Sequence, residues 1–392
     1  MTSVLPAQAQ VELRRAGGMM GERVLEVSAA GVLVEGSGGA QLVGWDRVKR
    51  VIGPKAPEAE AFAETGNKAW RSAERLRRGD VPAAEPLLEE LYRAYRGQRG
   101  PTAAMACEGL ARCRAARGAV ATAVLPWLYS LAAHPKSDEA GAVWVGGTID
   151  NSRAGGGGNV FIDPRYMLSP SLPPVWLAGA ALDSLAASAA WAELKLEPGP
   201  AGELASLYAL AAKLSAGGAA SASEAELIRG DSSSQTPGAA LVRDMLAARF
   251  GDDAVRVDAR ARLRVRIERA AAKPTALTEG TSQIPRWVEA WCRFAIGQSM
   301  VRESDENARV LGVIELMHLP ARFGTEQPYL AGLALAEGIA TLADLGDRSG
   351  SGVLKHELLL RFPRHPGVNL ERVRSVKAVA PHSQESEPEP AE

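Results

Sequence analysis

The sequence is poor in the residues that mark most recognisable chemistries. Aromatic residues fill only 5% of the 392 positions, too few for a thick β-sandwich core, while Ala and Leu recur throughout. That mix suits helices that approach closely through small side chains. Only three cysteines occur, Cys107, Cys113 and Cys292, and they form no C-x-x-C pair and no zinc spacing. At ~100° per residue, Cys107 and Cys113 stand about 120° apart around one predicted helix, which argues against a disulfide within it. All three read as small buried hydrophobes. Excess charge is missing as well. With 45 Lys and Arg against 46 Asp and Glu, the net charge of −1 supplies no long-range pull toward nucleic acid or an anionic membrane. No nucleic-acid partner is expected. No apolar run reaches the ~20 residues that cross a bilayer, so no membrane span is expected either.

Catalytic signatures are also lacking. The five histidines, His134, His318, His356, His365 and His382, show no H-E-x-x-H or H-x-H spacing for a metal, and no G-x-S-x-G elbow presents a serine nucleophile. The run Gly155-Gly156-Gly157-Gly158-Asn159 lacks the Lys-Ser/Thr and the preceding strand that a phosphate loop requires. The chain is therefore read as not an enzyme, with no catalytic residue, no metal and no cofactor.

What is present is a core. At 46% hydrophobic, the chain buries enough apolar surface to fold throughout most of its length, and that length accommodates two or three domains. Residues 10–53 form the clearest β segment. Val11-Glu12-Leu13, Val24 to Val27, Val32-Leu33-Val34 and Leu42 to Trp45 are short Val-rich runs, separated by turn residues at Gly17-Gly18, Ala30-Gly31 and Gly36 to Gly39. The runs Gly31 to Val34 and Val43 to Val48 resemble SH3-like or Sm-like mini-barrels. The resemblance implies a small β barrel, and a β cap on the first helices is the equal alternative.

After a linker at Pro54 to Pro57, helical periodicity takes over. Three stretches share one spacing: Gly79, Ala84, Leu88, Leu91; Gly118, Ala123, Trp127, Ser130, then Pro135; and Gly346, Ser351, Lys355, Leu358, then Pro363. A turn Gly, a small residue early in the next helix, a large one a turn later and a closing Pro resemble the tetratricopeptide pattern. Gly ends the first helix in a left-handed conformation, the small residue lets the pair approach, and Pro stops the second helix. This chain departs from the pattern at Arg75 and Arg114, where the family prefers an aromatic, at Lys355, which replaces a large apolar residue, and at Arg96, where the first closing Pro would fall. The fold class expected is mainly α: an irregular tetratricopeptide-like α-solenoid with a small N-terminal β barrel or β cap.

Further along, Leu204, Leu207, Tyr208, Ala211 and Leu214 follow one buried helical face, as do Trp287, Ala290, Trp291, Phe294 and Ala295, which read as core. The segment Val255–Ile267 alternates apolar and charged residues, with Arg256, Arg260, Arg262, Arg264 and Arg266 in phase. As a strand it would present a comb of guanidiniums to an anionic polymer. It follows Gly251-Asp252-Asp253, a good helix start, and the helix is preferred, with its arginines mostly on a solvated face. The divisions expected are a signal-peptide remnant at 1–9, a β module at 10–53, repeats at 54–145, a long irregular loop at 146–174, a helical domain at 175–380 and a disordered acidic tail at 381–392. The remnant rests on Ala7-Gln8-Ala9, which has the small −3 and −1 residues that signal peptidase requires. It implies an exported, periplasmic protein, with the cytoplasm as the alternative.

Stacked helix pairs make a groove that holds a peptide or a partner helix. The function expected is thus a non-catalytic scaffold for another protein or peptide, with Asp163, Arg165 and Tyr166 of the long loop as partner-binding residues. The rival is a cell-envelope hydrolase or carbohydrate-active enzyme with its site at 146–174.

Overall fold

A computed structural model describes residues 10–14, 18–20, 23–36, 39–134, 143–145, 161–176, 185, 196, 199–229, 236–271 and 284–380. The Ala7-Gln8-Ala9 segment, the glycine run at 155–158, Pro135 and the acidic tail lie outside these residues. The chain divides into two compact units, one of Met1–Leu172 with Gly179–Ala216, the other of Pro173–Ala178 with Gly217–Glu392.

The N-terminal unit begins with strands β1 (Gln10–Leu13), β2 (Met19–Met20), β3 (Arg23–Ser28), β4 (Gly31–Gly36), β5 (Gly39–Val43) and β6 (Val48–Ile52). They do not close into a barrel. One sheet runs β2-β1-β6 and a second runs β3-β4-β5-β7, where β7 is Val143–Val145 and pairs parallel to β5. That last strand comes from a stretch expected to be helical. The two sheets share a core of Val11, Val24, Val32, Val34, Val43, Trp45, Val48 and Val51. In β4, Val32 and Val34 are both buried, the period-2 signature of a half-buried strand.

Asp46 sits in the turn between β5 and β6 and is only 3% exposed. Its Oδ1 has no hydrogen-bond partner among the described residues, and Arg47 Nε lies 3.3 Å from Oδ2. Burial pushes its carboxyl up to about 6, more than the Arg47 and Arg77 charges offset. The folded value lies above the unfolded one, so the ionised carboxylate opposes folding above pH 6 and that cost fades as pH falls toward 4. Asp46→Asn is expected to stabilise the unit by ~1–3 kcal/mol at pH 7, with no gain at pH 4. Chemical denaturation at the two pH values checks this.

Helices α1 (Ala56–Glu60), α2 (Ala63–Arg77), α3 (Val81–Tyr95), α4 (Pro101–Ala116) and α5 (Val120–Ala133) follow, and α6 (Pro200–Ser215) packs on α5. The sequence divisions place α6 in the helical domain at 175–380, whereas it belongs to the N-terminal unit. Its Tyr208 lies 4.8 Å from Trp127 between ring centroids, and its hydroxyl donates to Leu172 O at 2.6 Å. The aromatic contact, invisible to periodicity, decides the packing. Leu204, Leu207, Tyr208 and Ala211 are all fully buried.

The C-terminal unit holds α7 (Ala222–Arg229), α8 (Pro237–Phe250), α9 (Asp253–Ala271), α10 (Arg286–Met300), α11 (Glu306–Arg322), α12 (Pro328–Asp344), α13 (Arg348–Arg361), a 3-10 turn at Pro366–Asn369 and α14 (Glu371–Arg374). Each long helix packs on its neighbour in sequence. Alternate helices also touch: α2 with α4 in the first unit, α8 with α10 and α10 with α12 in the second. That is the contact pattern of stacked helix pairs.

One turn recurs at the three spacings read from the sequence. Gly79, Gly118 and Gly346 have φ of 76°, 80° and 82°. Each Gly N–H bonds the carbonyl three residues back, and the next N–H bonds the carbonyl five back: Asp80 to Arg75, Ala119 to Arg114, Asp347 to Leu342. This double bond satisfies the last carbonyls of the first helix and requires the left-handed residue that Gly supplies. Ala84, Leu88, Ala123, Trp127, Ser130 and Leu358 are fully buried, and Leu91 and Ser351 nearly so. The departures from the pattern have their own partners. Arg75 Nη1 donates to Ala83 O at 2.6 Å, and Arg114 Nη1 to Thr122 O at 2.7 Å. Pro126 has no N–H to offer Thr122, so Arg114 takes that place. Lys355 Nζ donates to the carbonyls of Arg374 and Val376, holding the end of α14.

Residues 255–267 are helical, within α9. Their arginines are not a free solvated face. Arg262 and Arg266 both reach the buried Asp244 of α8, at 2.6 and 2.9 Å, and Arg260 reaches Glu303 at 2.6 Å. The ions pair neighbouring helices, because a buried carboxylate needs a charged partner. The three cysteines are free and buried, with burial pushing each thiol up to about 12. They are inert at neutral pH.

Candidate functional site

The loop residues expected to bind a partner lie together at Asp163–Leu168, where Asp163 N donates to Leu168 O at 2.8 Å. Asp163 Oδ1 accepts from the backbone N–H of Arg165 (3.0 Å) and Tyr166 (3.3 Å), and Met167 takes a φ of 56°. Such side-chain-to-backbone bonds build a turn. Tyr166 is 3% exposed, and Arg165 is exposed with its guanidinium 5.5 Å from the Tyr166 ring centroid. Of the three side chains, Arg165 is the one turned outward.

A second constellation, missed by sequence reasoning, lies in the C-terminal unit. The faces of α8, α10 and α12 converge on a short segment outside any helix or strand, Pro173-Pro174-Val175-Trp176. Met245, Leu246 and Arg249 of α8 and Phe294, Ala295 and Gln298 of α10 line an opening beside Pro174 and Val175. From α12, Tyr329 Oη donates to Val175 O at 3.2 Å. Val175 N closes a tight turn on Pro173 O at 2.7 Å. Val175 and Trp176 are each 4% exposed although they belong to no helix or strand. The opening is small, about 10 Å³, room for about one water molecule.

Buried polar groups stand among the apolar walls of this groove. Burial lowers the Arg249 guanidinium to about 10, and the nearby Arg302 adds to the effect while Glu337 opposes it. Gln298, 3% exposed, donates Nε2 to Glu337 Oε1 at 3.0 Å. Burial also holds the Tyr329 hydroxyl far above its ordinary value, so it remains a donor. Tyr329 is itself positioned from below. His365 Nε2 lies 3.1 Å from Tyr329 O, and His365 Nδ1 accepts from Gly367 N at 3.0 Å. The second bond makes Nδ1 the acceptor, so Nε2 carries the proton and donates to the Tyr329 carbonyl. Gly332 is required here, since a Cβ would fall 2.5 Å from the His365 ring.

The aromatic stripe on α10 divides its roles. Trp291 and Phe294 are fully buried core residues, and Phe294 also forms the groove wall. Among the described residues, no group of three or more His, Cys, Asp or Glu is placed to hold a metal ion, and no helix is long and apolar enough to cross a membrane. The chain matches no protein-family model, no curated protein and no solved structure.

Proposed function

We propose that the chain is an irregular tetratricopeptide-like solenoid that works as a non-catalytic scaffold, holding another polypeptide against the shared face of α8, α10 and α12. The observation that carries this reading is that this face already seats a non-regular segment of the chain, with the Tyr329 hydroxyl donating to the Val175 carbonyl. Main-chain recognition beside apolar walls is how grooves take peptides. The threefold recurrence of one turn, each with a small buried residue five positions on, supports the repeat reading. An exported setting rests on Ala7-Gln8-Ala9 alone and is proposed on that basis.

Affinity capture with the full chain, followed by titration of the purified captured protein, tests the reading. Saturable binding is expected to survive single replacement of each histidine other than His365 and of each cysteine. Gln298→Ala on the groove wall is expected to weaken it tenfold, about 1.4 kcal/mol. Turnover of a substrate by the purified chain, lost on changing Asp163 or Arg165, would instead support the hydrolase or carbohydrate-active reading.

A further inference from the structure

We propose that α11 is a self-association surface. Its outward face pairs antiparallel with α11 of a second copy of this chain, about a two-fold axis that passes between Leu311 and Ile314.

α11 buries Gly312, Val313, Leu316, Leu319 and Pro320 among its neighbours. The opposite side of such a helix ordinarily carries charge into solvent. Here it does not. Asn307, Leu311, Ile314, His318 and Ala321 follow one another at steps of four, three, four and three residues, with no Asp, Glu, Lys or Arg among them. Leu311 and Ile314 are each 55% exposed, and Val310 beside them is 43% exposed. Single exposed apolar residues are ordinary, but a contiguous strip marks an interaction surface. Charges that would interrupt the strip are turned aside. Glu315 reaches Arg293 at 2.7 Å, Arg322 reaches Glu289 at 2.9 Å, and Arg309 lies 3.8 Å from Asp344.

The spacing defines the shape of the occupant. Alternating steps of four and three form the seam of a coiled coil, so the face fits another helix lying nearly along it. The order of residues in the seam then matches the same helix reversed. In an antiparallel pair, Leu311 meets Ile314 of the partner subunit, and the two-fold axis repeats that layer. On either side, Asn307 meets His318 of the partner subunit, and its amide offers both a donor and an acceptor to the imidazole. Beside the seam, Val310 falls opposite Met317 of the partner subunit and Ala308 opposite Glu315 of the partner subunit. No like charges face each other. A parallel pair would set His318 against His318 and align the two helix dipoles, which the antiparallel pair opposes.

Because the same patch serves both copies, the assembly closes at two and does not propagate. Two helices of this length meeting along one seam bury roughly 1,000 Å² together, at the lower end for specific interfaces, so the dimer is weak, with a Kd on the order of 10 μM. Pairing through α11 leaves the face of α8, α10 and α12 free, and so stands or falls apart from the scaffold reading.

Sedimentation velocity of the full chain from about 1 to about 500 μM tests this. The weight-average mass is expected to rise from that of one chain toward that of two. Leu311→Glu is expected to weaken the dimer at least tenfold with dichroism and melting unchanged, since the side chain it replaces is exposed. Disulfide trapping reads the orientation. Chains carrying Asn307→Cys and chains carrying His318→Cys, mixed in a glutathione redox buffer, are expected to cross-link to each other at least fivefold more than either does to itself. The three natural cysteines are buried and do not compete. Preferential self-linking of the Asn307→Cys chain would show a parallel pair and overturn the assignment. A dimer that Leu311→Glu leaves intact would overturn it as well. So would a natural chain that stays monomeric across the whole range, and protection of α11 by a captured protein would then give the strip to a different partner.

Discussion

Placing Arg at Ala123 or at Ala84 is expected to destabilise the N-terminal unit by ~4 kcal/mol or more, enough to unfold many domains at 37 °C. Both alanines are fully buried. Ala84 lies in the core cluster that joins Ala69 of α2, Leu88 of α3 and Ala103 of α4. Ala123 stands one turn before Trp127, itself fully buried against Tyr208. An arginine there must either push α3 or α5 off its partner, which opens the core, or bury a guanidinium with no carboxylate to meet it. Each route alone is costly. Ala→Ser at the same positions is expected to cost ~1 kcal/mol or less, because the added hydroxyl can bond the preceding turn. Thermal melts of the four variants separate these cases. Parental melting of both arginine variants would remove the helix–helix contact on which the repeat alignment stands.

Acid is expected to loosen the C-terminal unit by up to ~3 kcal/mol through His365 alone. Burial lowers this imidazole to about 4, with the Tyr329 carbonyl partly opposing. The folded value lies below the ordinary 6.5, so the unfolded chain takes up the proton first. Stability from the neutral ring is complete above pH 6.5 and is lost as pH falls through 4. Protonation also converts Nδ1 from acceptor to donor and sets it against the Gly367 N–H that now bonds it. The loss should fall on α12 and the turn at Pro366–Asn369, and through Tyr329 on the groove. Amide exchange in α12, corrected for the intrinsic rate, is the right probe, since Asp46 in the other unit changes stability in the opposite direction over the same pH range. His365→Gln is expected to flatten the profile. An unchanged profile in that variant would assign the acid response elsewhere.

The features legible in the sequence are those that one short stretch of chain imposes on itself. A left-handed turn needs Gly79, Gly118 and Gly346, and a close helix crossing needs Ala84 and Ala123, so spacing alone exposes them. The helix at 255–267 was legible from its start at Gly251-Asp252-Asp253. What escaped are choices made by distant partners. Nothing within 253–271 shows that Arg262 and Arg266 converge on Asp244. Nothing within 200–215 shows that Tyr208 packs on Trp127. The groove escaped for the same reason. Pro173-Pro174 falls at the end of the long loop expected at 146–174, and the helices it meets lie more than 60 residues further along. Tyr329 and His365 belong to no motif and are joined by a backbone carbonyl. The barrel expectation failed on topology: four Val-rich runs are equally compatible with one closed sheet or two open ones, and the pairing of β6 with β1 and of β7 with β5 decides it.

Hydrogen exchange of the full-length chain, with and without its captured partner, tests most directly whether a polypeptide is held on this helical face. The account predicts slower exchange in the partner complex along α8 at Met245–Phe250, along α10 at Phe294–Met300 and along α12 from Tyr329 to Glu337, with little change in α9, α11 or α13. A saturated complex whose protection is confined to the Asp163–Leu168 turn, or to the β module, would contradict it.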